Sequence, residues 1–74
     1  MPRLPRVSGS EAIRLLEHLG FSQVRHRGSH VLMRRGHRGC VVPLHKGLAI
    51  GTLRGALRQA GVSVEEFVAA FEGR

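Results

Sequence analysis

The residues best equipped for chemistry stand in one run, Arg25-His26-Arg27-Gly28-Ser29-His30, with Val31-Leu32-Met33-Arg34-Arg35 behind it. Imidazole has a reference pKa of about 6.5, so it gives or takes a proton at neutral pH. Guanidinium groups clamp phosphate through paired donors. Together these are the parts needed to cleave RNA without a metal. A base takes the proton of a 2′-hydroxyl, which attacks the adjoining phosphate; cations offset charge on the phosphorane; an acid protonates the departing oxygen. DNA lacks the 2′-hydroxyl, so the route is closed to it. His30, the first residue after Gly28-Ser29, is the candidate catalyst. The plainer reading is a solvated strand residue beside a turn that needs Gly28 for its backbone.

Other chemistries fit less well. The chain has no Asp, Trp or Tyr, and its five acids are all Glu: Glu11, Glu17, Glu65, Glu66 and Glu72. Two-metal nucleases hold Mg²⁺ with clustered carboxylates, and these Glu residues lie in flanking segments. A Ser-His-Asp triad lacks its Asp. His26, His30, His37 and Cys40 have a spacing superficially like that of zinc ligands, but the first pair flanks a turn and Cys40 opens an apolar run, the setting of an inert thiol. The three Phe residues, Phe21, Phe67 and Phe71, occupy core-like positions, which leaves no aromatic platform for stacking bases. No metal or cofactor is expected.

Charge points to the partner. The 74 residues carry 12 Lys plus Arg against 5 acids, a formal net charge of +7. No acid occurs between Glu17 and Glu65, an interval holding Arg25, Arg27, Arg34, Arg35, Arg38, Lys46, Arg54, Arg58 and every histidine. A one-sign block inside a folded pattern is the footprint of a polyanion, against the blander possibility of a solubility surface. No apolar run suits a membrane span or a signal-peptide core, and no basic amphipathic helix suits a lipid surface. One cysteine makes no internal disulfide, which fits a reducing cytoplasm. The length predicts one domain over residues 1–74.

These residues need a scaffold, and the pattern supplies one. Residues 1–7, punctuated by Pro and Arg, form an extended N-terminal segment. Ser8-Gly9-Ser10-Glu11 is a capping box that opens a helix with Ala12, Leu15, Leu16 and Leu19 as its stripe; Gly20 stops it and Phe21 folds back on its last turn. Three β-rich runs follow at 23–27, 30–35 and 40–43, joined by a tight Gly28-Ser29 turn and a four-residue link, 36–39. Pro43 closes the last run at an edge or end. A loop over 44–50 leads to a second helix, capped by Thr52, buried through Leu53, Ala56, Leu57 and Ala60, and stopped by Gly61. Arg54 and Arg58 share one side of it. A second capping box, Ser63-Val64-Glu65-Glu66, opens a short helix with Val64, Phe67, Val68 and Phe71 on its stripe. The prediction is an α+β fold, helix, three-stranded antiparallel meander, helix and short helix, with the long helices on one sheet face. Which side chains face the helices is not fixed by a segment that alternates as poorly as Ser29–Arg35.

"EHLGF", "RGSHVLMRR", "VVPLH" and "GTLRGALRQAGVSVEEF" resemble the HicA toxins of bacterial toxin–antitoxin pairs, in that family's order and spacing, over about residues 10–71. The resemblance implies a double-stranded-RNA-binding-domain-like fold. It implies a metal-independent messenger RNA interferase of the bacterial cytoplasm, held inactive by a HicB-like antitoxin. It also implies a catalytic histidine after Gly-Ser at the start of the second strand, here His30 after Gly28 and Ser29. The loop from Lys46 to Ile50 is poorer in lysine than in many members, and His45 of "VPLH" has a counterpart in relatives.

The expectation is therefore an endoribonuclease toxin. His30 acts as general base or acid, Gly28 and Ser29 position it, and Arg27, Lys46, Arg54 and Arg58 hold phosphates. His45 is a possible second group that contacts phosphate, protonates the leaving group or caps the loop. An antitoxin is expected to cover His30 and the basic face by charge complementarity. The rival is a non-catalytic RNA-binding module of the same fold, in which His30 is replaceable.

Overall fold

The structure is a computed structural model and describes residues 3–73. The order is α1 (Gly9–His18), β1 (Ser22–Arg27), β2 (His30–Arg35), β3 (Arg38–Pro43), α2 (Ile50–Ala60) and α3 (Val64–Glu72). The strands form one antiparallel sheet in the order β1-β2-β3. This is the expected α+β architecture, consistent with a double-stranded-RNA-binding-domain-like arrangement. Residues 3–7 carry no helix or strand; the rest of the predicted N-terminal segment, Met1 and Pro2, lies outside the described residues.

Both capping boxes form. The Ser8 hydroxyl accepts from the Glu11 amide at 3.0 Å and the Glu11 carboxylate accepts from the Ser8 amide at 2.9 Å; Ser63 and Glu66 repeat this at 3.0 and 3.1 Å. Each box satisfies two amides that a helix start otherwise leaves without partners. Gly61 takes the left-handed conformation, φ 73°, that ends α2. Thr52, however, does not cap α2. The helix starts at Ile50 behind Ala49, with no side-chain cap. Leu48 is buried and donates its amide to the Val7 carbonyl at 2.8 Å, and Ile50 packs on the core. These anchors fix where the chain enters the helix, so Thr52 falls within its first turn.

The second link is also shorter than predicted. Gly28 and Gly36 have φ of 58° and 61°, and each is the first central residue of a two-residue turn. A positive φ at that position matches the twist of the flanking strands. The second hairpin thus closes within Gly36-His37, and Arg38 and Gly39 join the ladder opposite Arg35 and Arg34.

Val31, Met33, Cys40 and Val42 point to the helix side of the sheet, where they join Leu15, Leu16, Leu53, Leu57 and Phe67 in one core. Both α1 and α2 pack on β3, and α3 packs on α1. Leu4 and Val7 extend the core into the N-terminal segment. Arg35, on the same side, reaches the end of α1: it donates to the Leu19 carbonyl at 2.7 Å, and its guanidinium lies 4.6 Å from the centre of the Phe21 ring. It closes the helix C-terminus and lids an aromatic.

Candidate active site

His30 opens β2, immediately after the tight turn, and is exposed. Alternation along β2 buries Val31 and Met33 and turns His30, Leu32 and Arg34 to the opposite, outer face. The turn that presents His30 is tied to the body of the protein. The Leu44 amide donates to the Ser29 carbonyl at 2.6 Å, and Pro43 pairs with His30 across the ladder. A Cβ on Gly28 would meet nothing within 4 Å, so the glycine serves the backbone conformation and not a close contact.

The neighbours of His30 are set by an irregularity in β1. At the start of the strand Gln23 pairs with Met33; from Arg25 onward the register shifts by one, so that Arg25 pairs with Leu32, His26 with Val31 and Arg27 with His30. The bulge at Val24 absorbs the extra residue and re-aims everything after it. In an unbroken register Val24 and His26 would stand beside Leu32 and His30. With the bulge, Arg25 and Arg27 take those places. The outcome is a shallow depression of about 220 Å³ lined by Arg25, Arg27, His30, Leu32 and Val41, two cations and an imidazole around an apolar floor. No carboxylate lines it.

The bulge also separates the histidines. His26 shares the helix side of the sheet with its partner Val31, and its Nε2 lies 2.9 Å from the Gly28 carbonyl oxygen. His37 belongs to the other turn, at the far end of β2. Cys40 is buried in the core, and burial pushes its thiol above the usual range. Among the described residues no three His, Cys, Asp or Glu side chains come together as metal ligands.

The other predicted residues divide in two. His45 and Lys46 are exposed on the segment directly after Leu44, so they follow the stretch bonded to the Gly28-Ser29 turn. The His45 carbonyl accepts from the Gly9 amide at 2.9 Å, and a Cβ on Gly9 would overlap the Pro43 carbonyl oxygen. Arg54 and Arg58 are exposed on α2 and neither lines the depression around His30; Arg54 lines a separate cleft.

A family profile described as the HicA toxin of bacterial toxin–antitoxin systems matches residues 9–62, from the start of α1 to the end of α2. The chain belongs to the HicA toxin family. A comparison with curated proteins finds no match. Family membership implies an antitoxin partner, and the family is known for mRNA interferases. The matched segment contains the hairpin, the Leu44–Ala49 loop and α2. It excludes the N-terminal segment and α3. No described helix is long and apolar enough to cross a membrane.

From sequence, Arg25 belongs to the chemistry-bearing run and to the basic block but has no role of its own. Its signal lies in Val24, an apolar residue that fits neither face of a regular strand. Gly9, inside the first capping box, also escaped notice, because its role is a close approach to a segment far along the chain.

Proposed function

We propose that this chain is a metal-independent endoribonuclease, an mRNA interferase, in which His30 is the general acid or base. What carries the reading is the depression around His30. There an exposed imidazole stands on an uncovered sheet face beside Arg25 and Arg27, with no carboxylate to hold a divalent ion. In the reaction the 2′-oxygen loses its proton to a base and bonds to the adjoining phosphorus. The bond to the 5′-oxygen breaks and that oxygen is protonated. The products are a 2′,3′-cyclic phosphate and a 5′-hydroxyl. His30 performs one of the two proton transfers. Arg27 and Arg25 face the charge that grows on the phosphorane. Gly28 and Ser29 hold the turn, and Lys46, Arg54 and Arg58 add phosphate contacts along the exposed surface. His45, on the segment bonded to the same turn, is the second imidazole available to this edge.

The Glu residues support the absence of metal chemistry. Glu11 and Glu66 are engaged in capping boxes, Glu17 lies on α1, and Glu65 and Glu72 lie on α3. A HicB-like antitoxin would inhibit by covering the outer face, where Leu32 and Val41 offer apolar contact inside a cationic rim. The test is RNA cleavage with and without chelator, followed by analysis of the product ends. Cleavage that persists in chelator and leaves cyclic phosphate supports the mechanism. Activity that vanishes in chelator and returns with Mg²⁺ overturns it.

A further inference from the structure

A second basic cleft lies outside the depression around His30. It measures about 600 Å³ and brings together Arg3 and Arg6 of the N-terminal segment with Arg54 of α2. Leu4, Ile50 and Val64 supply apolar wall, and Glu65 is the one acid in the lining. We propose that this cleft is a second phosphate-binding subsite, which holds the RNA strand beyond the point of cleavage. The inference rests on the reading of the chain as an RNA-cleaving enzyme.

Three observations carry it. First, the arm is built into the fold. Leu4 and Val7 are buried, so the backbone of the arm is anchored, and Arg3 and Arg6, each one residue before them, are exposed. Second, Arg3, Arg6 and Arg54 line one space, and among the described residues none of them has an ion-pair partner. Glu65 does not supply one; it stands in the first turn of α3, where a carboxylate complements the helix dipole. With three cationic residues and one carboxylate in its lining the cleft is net positive, and an anion there offsets the excess charge. The volume is on the order of that of small-ligand sites, roughly 300–1,000 Å³.

Third, backbone bonds tie the arm that borders the cleft to the hairpin. Backbone hydrogen bonds run from the Leu44 amide to the Ser29 carbonyl, from the Gly9 amide to the His45 carbonyl, and from the Leu48 amide to the Val7 carbonyl. They link the turn beside His30, the exposed His45 and Lys46, and the arm that carries Arg6. His45 and Lys46 are exposed on this edge, between the turn beside His30 and the arm. On α2, Gly51 and Gly55 share a side with Arg54 and Arg58, and a Cβ at either meets nothing within 4 Å. Gly55, in the helix interior, costs about 1 kcal/mol of helix propensity relative to alanine with no packing reason, and both glycines leave that side open to a close-lying backbone. Repeating phosphate charge matches this series of cations better than a single acidic side chain does.

The test uses 2′-O-methyl oligouridylates, which cannot be cleaved, of about 4 and about 12 nucleotides, both within the usual range of site sizes. Binding is read by fluorescence anisotropy at several salt concentrations. For Arg3→Ala/Arg6→Ala the affinity for the longer strand should fall about tenfold, and its salt slope by about 1.4, as two phosphate contacts are lost. Binding of the shorter strand should change little. Arg14→Ala/Arg38→Ala removes the same charge elsewhere and should cost the longer strand much less. An equal loss in both double variants overturns the subsite, since net charge alone then accounts for it. Unchanged RNA affinity with weakened antitoxin binding also overturns it and assigns the cleft to the antitoxin. A parent protein that binds neither length removes this inference together with the reading it rests on, an outcome distinct from the other two.

Discussion

Val31, Met33, Cys40 and Val42 on one face of the sheet are at most 2 % exposed, whereas Val41 between them on the other face is 44 % exposed and every residue of β1 is exposed. The two faces belong to the same strands and share one ladder, yet only one is buried. The helix-side residues meet α1, α2 and α3 in a single core, where dense packing leaves little freedom in shape. The outer residues contribute backbone hydrogen bonds and leave their side chains in water. His30, Arg25 and Arg27 are thus held in place by a scaffold that does not depend on their chemistry. Arg35 marks the boundary: a cation on the helix side, committed to the Leu19 carbonyl and the Phe21 ring.

The contrast gives graded expectations. Met33→Ala, in the middle of the buried face, should cost about 2–5 kcal/mol of stability, a large share of what a chain this small has; urea unfolding measures it. A loss below that range would mean the core relaxes around the gap. Arg25→Ala/Arg27→Ala should reverse the pattern, with a urea midpoint near the parent's and RNA affinity reduced about tenfold or more through two lost phosphate contacts. Unfolding of that variant would show that the outer face is structural after all. Arg35→Ala should cost about 1–2 kcal/mol, since a carbonyl contact and a cation–π contact go together. Val24→Ala should change stability by no more than about 0.5 kcal/mol despite removing an apolar side chain, because Val24 is 52 % exposed at the bulge. Cys40 should resist alkylation at neutral pH in the folded protein and react once unfolded, as burial both raises its pKa and blocks access.

Much of the scaffold was legible because its signals are local. Two Ser-x-x-Glu boxes, the stop at Gly61 and the Gly28-Ser29 turn each act within a few residues. The start of α2 was not, since Leu48 and Ile50 place it through contacts with distant segments while Thr52 carries the more familiar cap chemistry. Nor was the short second turn, where Gly36 alone supplies the positive φ and the longer polar stretch misled. In the candidate site, Gly28, Ser29, His30 and Arg27 lie close in sequence and could be grouped by eye. Arg25 stands in the same run, but its place beside Leu32 depends on the bulge, which is a property of strand pairing. Arg54 was readable as an exposed helix cation; its company with Arg3 and Arg6 depends on how the arm folds back.

The most direct test of the central claim is RNA cleavage in excess chelator by the parent and by His30→Ala, with RNA binding and unfolding measured on the same preparations. Cleavage should fall by about 10²–10⁴-fold, the usual weight of a general acid or base, while binding and the unfolding midpoint stay close to the parent's. Cleavage retained by a folded, RNA-binding His30→Ala protein would contradict the account.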